Sequence, residues 1–352
     1  MASATDLHAI GTYSNTPVGM IRAGCVHGFE TVVERAGGSP QSAMQKAGLS
    51  ADALSCADNM ITLQSYARLL DAAAAESGLD DFGMALGEVF DARTLGPIGY
   101  LFRYANTWGD ALSSFCKYFA VVQDDTVMGL EVQNGEARIT YELKAAETYG
   151  RKQDAEFSIA LLCHSLLSLS TDCEIRSIDF QHDFRNKIQV APVYRKVEGG
   201  QPRNAIYLSA AWLESKPLQA EGYTYNLILQ QLDRDIAARC DRTALLQSIR
   251  KFVADATIAR PYPSVTAAEV ATALGVSERT LHRRLISYGT NFRDLRNLTL
   301  AALATDLLAE TRLSISEIGY RLGYSESSAF SRAFKSEVGK SPQSFRARLS
   351  QA

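Results

Sequence analysis

The sequence predicts an α+β body followed by an all-α C-terminal region that contains two helix-turn-helix units joined by a linker helix. Three observations lead to this prediction. A helix, glycine turn and helix pattern occurs twice in residues 264–348. Apolar and polar residues alternate with a period of two in the body, but not in the doubled pattern. Helices and strands of the body do not alternate as βαβ units, which favours α+β over α/β.

In the body, helical and extended patterns follow one another in separate runs. Apolar stripes and local composition predict helices over residues 26–36, 41–47, 62–76, 82–89, 98–105 and 108–121. From Asp125 the period changes to two, and the pair Asn134-Gly135 predicts a type I′ hairpin between two strands. A long helix is predicted over residues 152–170. Short strands are predicted over 175–182, 190–193 and 205–208, and a helix over 221–238 leads to the C-terminal region.

The two copies of the doubled pattern begin with the same helix-start signal. Thr266 with Glu269, and Ser314 with Glu317, have the spacing of capping boxes, in which two side chains satisfy free N–H groups of a new helix. Each short helix then ends at a Leu-Gly pair, where glycine can adopt the left-handed conformation of a tight turn. A second helix follows at once, begun by Ser277 or by Ser325.

Between the two units lies a helix that is long enough to act as a spacer. The C-terminal region as a whole is predicted to hold helices over residues 244–254, 267–274, 278–288, 292–309, 315–322, 326–338 and 342–349. The fourth of these has about 18 residues and spans roughly 27 Å at 1.5 Å per residue. One turn of duplex DNA is ~34 Å long, so a rigid linker of this size could present the two units to successive major grooves.

The net charge of −3 conceals opposite charges in the two regions. Residues 241–352 contain 16 Lys and Arg against 10 Asp and Glu, a net charge of +6, whereas the rest of the chain carries −9. A basic segment on an acidic body is typical of a protein in which one region meets phosphate.

The N-terminus lacks a basic segment followed by an apolar run, and no apolar stretch approaches the ~20 residues of a membrane span. The six cysteines form no CxxC motif, which favours free thiols in a reducing compartment. We therefore expect a cytoplasmic protein without a membrane partner.

The doubled unit, the linker helix and the closing segment 330–346 together resemble the DNA-binding domain of the AraC/XylS family of bacterial transcription regulators. The body is similar to the ligand-binding and dimerisation region of the ornithine-utilisation-regulator branch, through residues 96–100, 108–112 and 204–208. One position departs from the family pattern. Leu300 of the linker helix stands where most members have Arg, so a contact that this Arg makes in relatives is absent here.

The resemblance implies a regulator that binds promoter DNA and a small-molecule effector, forms a homodimer and contacts RNA polymerase. Activation is the more common outcome in this family, and no cofactor is expected. The predicted domains are a flexible lead-in over 1–24, an effector-binding and dimerisation domain over 25–220, a connecting helix over 221–240 and the DNA-binding domain over 241–352.

The resemblance also places the residues that meet DNA. Base-reading positions fall on Arg279, Thr280, His282 and Arg283 in the first unit and on Ser327, Ser328, Ser331 and Arg332 in the second. Arg284, Ser325 and Lys335 are better placed for phosphate, which positions a protein without reading sequence. Arginine binds guanine O6 and N7 together, whereas serine reads bases weakly. The first unit is therefore expected to contribute more sequence discrimination.

Two other function classes stay open at this stage. The chain could bind DNA constitutively without an effector, or the body could be an enzyme-like domain that retains catalysis. Against catalysis, the sequence has no HExxH, P-loop, paired CxxC or GxGxxG motif, and His27, His164 and His182 are isolated, so no catalytic or metal-binding residue is predicted. No motif marks the effector pocket. Arg103 is the one candidate for pairing with a ligand carboxylate, although a surface salt bridge explains it as well.

Overall fold

The computed structural model describes residues 19–144, 151–184, 196–260 and 265–349. Contacts between residues divide the chain into two units. The N-terminal unit is Gly19–Arg239, and the C-terminal unit contains Cys240–Ala352. The first mixes helices with a mixed β-sheet and the second is helical, so the predicted α+β body and all-α C-terminal region are confirmed.

Several helices of the N-terminal unit begin at residues whose side chains cap them. Thr62 accepts a hydrogen bond from Ser65 N (3.0 Å), and Thr107 accepts one from Asp110 N (3.0 Å), so each satisfies an N–H group that the new helix leaves free. The helices are α1 (Phe29–Arg35), α2 (Pro40–Ala47), α3 (Ala51–Leu54), α4 (Leu63–Ser77), α5 (Phe82–Val89), α6 (Leu101–Tyr104), α7 (Trp108–Tyr118) and α8 (Arg151–Leu169). Short 3₁₀ segments lie at Ala23–Val26, Ala92–Tyr100, Phe119–Val121 and Ala210–Glu214.

The strands form a two-stranded pair, β1 (Met20–Arg22) with β2 (Met60–Thr62), and a five-stranded sheet. The sheet contains β3 (Thr126–Gln133), β4 (Glu136–Leu143), β5 (Ile175–Asp179), β6 (Val197–Glu198) and β7 (Asn204–Ser209), in the order β3-β4-β7-β5-β6. Asn134 (φ 53°) and Gly135 (φ 76°) are both left-handed, as a type I′ turn requires, so the predicted hairpin is confirmed. β6 runs parallel to β5, and the strand predicted over 190–193 lies outside the described residues.

Helix α8 lies against the sheet and against α5. The two helices approach so closely that a Cβ on Gly87 would lie 2.5 Å from Ala160 Cβ, and only glycine leaves room for this contact. Almost every side chain in the middle of α8 is buried, including two carboxylates, Asp154 and Glu156. The N-terminal unit therefore contains charge in its interior as well as an apolar core.

Three residues of the predicted lead-in over 1–24, Met20–Arg22, form strand β1. Met20 and Ile21 are fully buried in β1, which pairs with β2 in antiparallel register, Met20 opposite Thr62. A strand of three residues is too short to show an alternating pattern, so the sequence gives no local signal for it.

One helix, α9 (Gly222–Ala259), replaces the two that were predicted over 221–238 and 244–254. No Gly or Pro lies between residues 239 and 243, so nothing in the backbone chemistry interrupts the helix there. Its first part contributes Leu232 to the core of the N-terminal unit, and its last part contributes Ile249 and Val253 to the core of the C-terminal unit. The predicted interruption was wrong.

The C-terminal unit continues with α10 (Ala267–Ala273), α11 (Glu278–Ser287), α12 (Phe292–Glu310), α13 (Ile315–Arg321), α14 (Ser327–Val338) and α15 (Pro342–Leu349). Two apolar cores form, one around α10 and α11 and one around α13 and α14. The linker helix α12 belongs to both, because Leu295 packs in the first core and Leu300 in the second. Leu300 is 2% exposed, so it packs within the second core.

Candidate nucleic-acid interface

The two helix-turn-helix units begin with the predicted capping boxes. Thr266 Oγ1 accepts from Glu269 N (3.3 Å), and the Glu269 carboxylate accepts from Thr266 N (2.9 Å). Ser314 and Glu317 make the same reciprocal pair at 3.2 and 2.7 Å. The turn glycines Gly275 (φ 67°) and Gly323 (φ 87°) are left-handed, as was predicted.

The second helix of each unit starts at a different distance from the turn glycine. In the first unit Ser277 caps α11 and accepts a hydrogen bond from Thr280 N (3.2 Å). In the second unit the cap position is Glu326, whose side chain makes no capping bond, so the prediction that Ser325 begins α14 was wrong. The turn of the second unit is one residue longer, and this shifts the helix start.

Counted from the cap residue, the two recognition helices have the same buried pattern. Leu281 and Leu285 are the fourth and eighth residues after Ser277, and Phe330 and Phe334 are the fourth and eighth after Glu326; all four are at most 1% exposed. The sixth position of each helix then carries Arg283 or Arg332, both exposed. The longer turn of the second unit therefore leaves the two arginines at equivalent places.

The outer face of α11 is basic and free of internal partners. Arg279, His282, Arg283 and Arg284 are exposed, and none of their side chains makes a hydrogen bond or ion pair with any residue that the structure describes. Three of them share one face with Ile286, which is 59% exposed. A guanidinium on such a face can reach the O6 and N7 atoms of guanine, and an apolar side chain can contact the methyl group of thymine. Ile286 was not predicted; its spacing from His282 and Arg283 was the available signal.

Thr280 is less available than the other predicted readers of α11. It is half-buried, and its hydroxyl lies 2.9 Å from Ser277 Oγ, so it takes part in capping the helix. In α14, Ser328 donates a hydrogen bond to a Glu326 carboxylate oxygen (3.0 Å). Ser327 and Ser331 are half-buried.

The remaining predicted contacts of the second unit are exposed. Ser325 lies in the turn before α14, and Arg332 and Lys335 project from the helix itself. With these two cations α14 has less basic surface than α11, which carries three arginines on its outer side.

Arg103, the candidate effector residue, lies in the other unit. It is half-buried on α6 and lines a cleft of about 230 Å³ together with Arg93 and His164. Among the described residues, no group of three or more His, Cys, Asp or Glu side chains could hold a metal ion, and no helix is long and apolar enough to cross a membrane.

Comparison with known families agrees with this arrangement. Residues 37–217 match the family described as the N-terminal arabinose-binding domain of AraC transcription regulators, and residues 270–348 match a helix-turn-helix domain family. The chain belongs to the AraC family of transcription regulators. It is accordingly a DNA-binding transcription regulator with an N-terminal domain of ligand-binding type, and not an enzyme, as the sequence predicted.

The chain is similar along most of its length to two curated regulators. It is 26% identical to the ornithine utilization regulator of Pseudomonas aeruginosa, over 90% of this chain and 93% of that protein. It is 25% identical to the HTH-type transcriptional regulator VirS of Mycobacterium tuberculosis, over 93% and 96%. The solved structure of the transcriptional regulator CdpR from Pseudomonas aeruginosa covers 75% of this chain and 86% of its own, at 23% identity and a TM-score of 0.36.

Proposed function

We propose that this AraC-family member is a cytoplasmic activator that binds promoter DNA with both helix-turn-helix units and changes its DNA binding when a small metabolite binds the body. Effector binding and dimerisation are assigned to residues 25–220, the connection to 221–240 and DNA binding to 241–352. The observation that carries the DNA part is the outer face of α11, where exposed cations stand opposite a fully buried leucine pair.

We assign sequence reading mainly to Arg279, His282 and Arg283 of the first unit. In the second unit Arg332 is the strong reader, because it occupies the place of Arg283, and Ser327, Ser328 and Ser331 add weaker contacts. Thr280 takes part in capping α11 and is assigned a weaker contact with DNA. Arg284, Ser325 and Lys335 contact phosphate and set the register of the protein on the duplex.

The linker supports simultaneous binding by both units. Helix α12 has 19 residues, which is about 28 Å at 1.5 Å per residue. Because Leu295 and Leu300 tie it into both cores, it behaves as a rigid spacer rather than as a tether. Its length is close to the ~34 Å that separates successive major grooves on one side of the duplex.

Helix α9 is the element through which an effector would act. Several polar contacts hold its first part to the body. Tyr118 donates to Asp233 Oδ1 (2.6 Å), Tyr225 lies 2.7 Å from Ser114 Oγ, and Arg239 donates to Asp124 Oδ1 (2.8 Å). The same helix continues to Ala259, and we propose that the effector acts on DNA binding through it. An effector shifts DNA binding only by favouring one arrangement of these contacts over another.

The chain is also proposed to act as a homodimer that recruits RNA polymerase. Leu218, which precedes α9, and Tyr223 and Leu227 in its first turns are exposed by 95%, 73% and 46%, and exposed apolar groups of this kind favour association. The competing function is constitutive DNA binding without an effector. Light scattering of the purified chain tests the dimer, and DNA affinity measured with and without metabolites separates regulated from constitutive binding.

The test of the DNA assignment is an affinity measurement on a selected DNA site. Arg283→Ala is expected to weaken binding by about 1–3 kcal/mol and to relax the base preference at one position. Arg176→Ala, which removes a partly exposed arginine from the body, is the matched control and should bind like the unmodified chain. Unchanged binding by Arg283→Ala would mean that α11 is not the reading helix.

A further inference from the structure

The cleft that contains Arg103 is built where three segments of the N-terminal unit meet. Asp91 and Arg93 come from the segment after α5, Arg103 from α6, and His164, Ser165 and Ser168 from α8. Phe90 forms an apolar wall; it is 2% exposed and packs edge-on against Phe157 at 5.1 Å. We propose that this cleft is the effector site and that it takes a small carboxylic acid bearing a hydroxyl or amino group. The proposal rests on the proposed function, since it names the ligand class of the same regulator.

The two arginines of the cleft differ in what they bind. Arg93 Nε donates to both oxygens of Asp91, at 2.9 and 2.8 Å, so the carboxylate satisfies it. Arg103 is half-buried, and its guanidinium makes no hydrogen bond and no ion pair with any residue in the described part of the chain. Two guanidinium groups and one carboxylate leave the cleft with a positive charge. Hydrogen bonds from Arg93 lower the pKa of Asp91, and the charge of Arg103 adds to this at longer range. A ligand anion would supply a partner for Arg103 at hydrogen-bond distance.

The geometry of the guanidinium suits an anion that offers two oxygens side by side, and a carboxylate is the smallest common group of this kind. Arginine presents parallel N–H groups that bind both oxygens of a carboxylate at once. The serine hydroxyls are already used as donors, Ser165 to Leu161 O (2.7 Å) and Ser168 to Ser165 O (3.2 Å). Their free lone pairs can therefore accept from a hydroxyl or ammonium group of the ligand.

The size of the cleft limits the ligand to a small metabolite. Its volume of about 230 Å³ lies below the ~300–1,000 Å³ of pockets for drug-sized ligands. Gly99 forms part of the wall, and a Cβ there would lie 1.8 Å from Ala92 O, so the backbone closes tightly at this point. Short hydroxy acids and amino acids fit these dimensions.

The position of the cleft connects ligand binding with α9. The residue after Arg103 is Tyr104, whose carbonyl accepts a hydrogen bond from Glu221 N (3.0 Å), directly before α9 begins. A ligand that draws the Arg103 guanidinium into the cleft acts on α6, and α6 holds the first turn of α9 through this bond. The site therefore lies beside the helix through which regulation is proposed to pass.

The experiment uses the full chain and a panel of acids with matched amides in which the carboxylate is replaced by a carboxamide, for example lactate against lactamide and alanine against alaninamide, together with glucose. Thermal unfolding selects the compounds that bind, and calorimetry gives their Kd. The expected result is that at least one acid binds and its amide does not. Arg103→Met, which keeps the aliphatic stem, should bind that acid about 10- to 100-fold more weakly, because a hydrogen bond to a charged group contributes about 1.5–3 kcal/mol.

Two further variants make the result decisive. Arg103→Lys keeps the positive charge but loses the parallel N–H groups of the guanidinium, so it should bind the acid with intermediate affinity. Arg176→Met is the matched control and should bind the acid like the unmodified chain. Wild-type affinity in both Arg103 variants would overturn the site. A neutral compound that binds regardless of Arg103 would overturn the ligand class but leave an effector-responsive regulator. No binding by any acid would overturn the proposal, and DNA affinity, measured separately, would show whether DNA binding by the regulator still stands.

Discussion

The buried carboxyl of Asp154 gives the N-terminal unit a pH dependence that can be calculated. Asp154 lies on α8 and is 1% exposed. It accepts hydrogen bonds from the Tyr141 hydroxyl (2.6 Å) and the Gln123 amide (3.3 Å), and no Lys, Arg or His among the described residues forms an ion pair with it. Burial raises the pKa of this carboxyl from 3.8 to about 6, and the hydrogen bonds offset only part of the effect.

The direction in which stability changes with pH follows from the raised pKa. The folded state holds the Asp154 proton more tightly than the unfolded state, so this group weakens the fold as pH rises from about 4 to 6, and the full penalty remains above that range. One pKa unit is equivalent to 1.36 kcal/mol, so the penalty at neutral pH is about 3 kcal/mol. Between pH 4.5 and 7.5 the change is about 2 kcal/mol.

Asp154→Asn keeps the size of the side chain and removes its titration. The amide has one acceptor oxygen where the carboxylate has two, so the variant also loses one accepted hydrogen bond, a change that does not itself titrate. The unmodified chain and the variant are unfolded with urea at pH 4.5 and at pH 7.5. The quantity measured is the unfolding transition of the N-terminal unit. The free energy of unfolding of the variant, relative to the unmodified chain, should rise by about 2 kcal/mol from the lower to the higher pH. The exposed Asp172→Asn is the control and should show no such rise. A difference that is independent of pH would refute the assignment of the titration to Asp154.

Two further predictions concern the C-terminal unit. Lys335→Ala should weaken binding to every DNA sequence alike and lower the slope of log affinity against log salt by about one; anisotropy titrations over a salt series measure this, and a loss confined to one sequence would argue for base reading instead. Leu300→Ala should lower the free energy of unfolding by about 2–5 kcal/mol, because Leu300 is 2% exposed in the second core. Thermal unfolding measures the effect of Leu300→Ala, and an unchanged melting temperature would show that the stability of the C-terminal unit does not depend on Leu300.

The features of the DNA-binding region that depend on neighbours in sequence were predictable. Capping boxes, turn glycines and the buried pairs of α11 and α14 are each set by residues a few positions apart, and the structure has them at Thr266, Ser314, Leu281 and Phe330. The start of α14 was missed, because a serine after the glycine gives the same signal whether or not the turn is one residue longer. Ser325 is exposed in that turn, and Glu326 takes the cap position.

Features that depend on distant parts of the chain could not be read in this way. β1 exists because Met20 pairs with Thr62, forty-two positions away, and its three residues carry no period. Nothing local distinguishes Asp154 from a carboxylate on a solvated helix face, since its burial comes from the sheet and from α4 and α5. The cleft likewise joins Arg103 to residues more than sixty positions later on α8, and the sequence offered Arg103 as a candidate without indicating its neighbours.

The uneven division of base reading between the two units, which residue types lead us to expect, stays a prediction. Arg283 and Arg332 occupy equivalent exposed positions, but α11 adds Arg279 and His282 where α14 has Ser328 and Ser331. The weaker second unit would then act mainly by adding phosphate contacts and one arginine contact.

Selection of binding sites from a pool of randomised duplexes tests the DNA-binding proposal most directly. The full chain is expected to enrich two elements about 10 bp apart, one for each recognition helix, with the stronger preference, including guanine, in the element read by α11. Selection with Arg283→Ala should retain both elements and lose the preference at one position of the stronger one. A single element, or an unchanged preference in the variant, would contradict reading by α11 and α14 in the manner described.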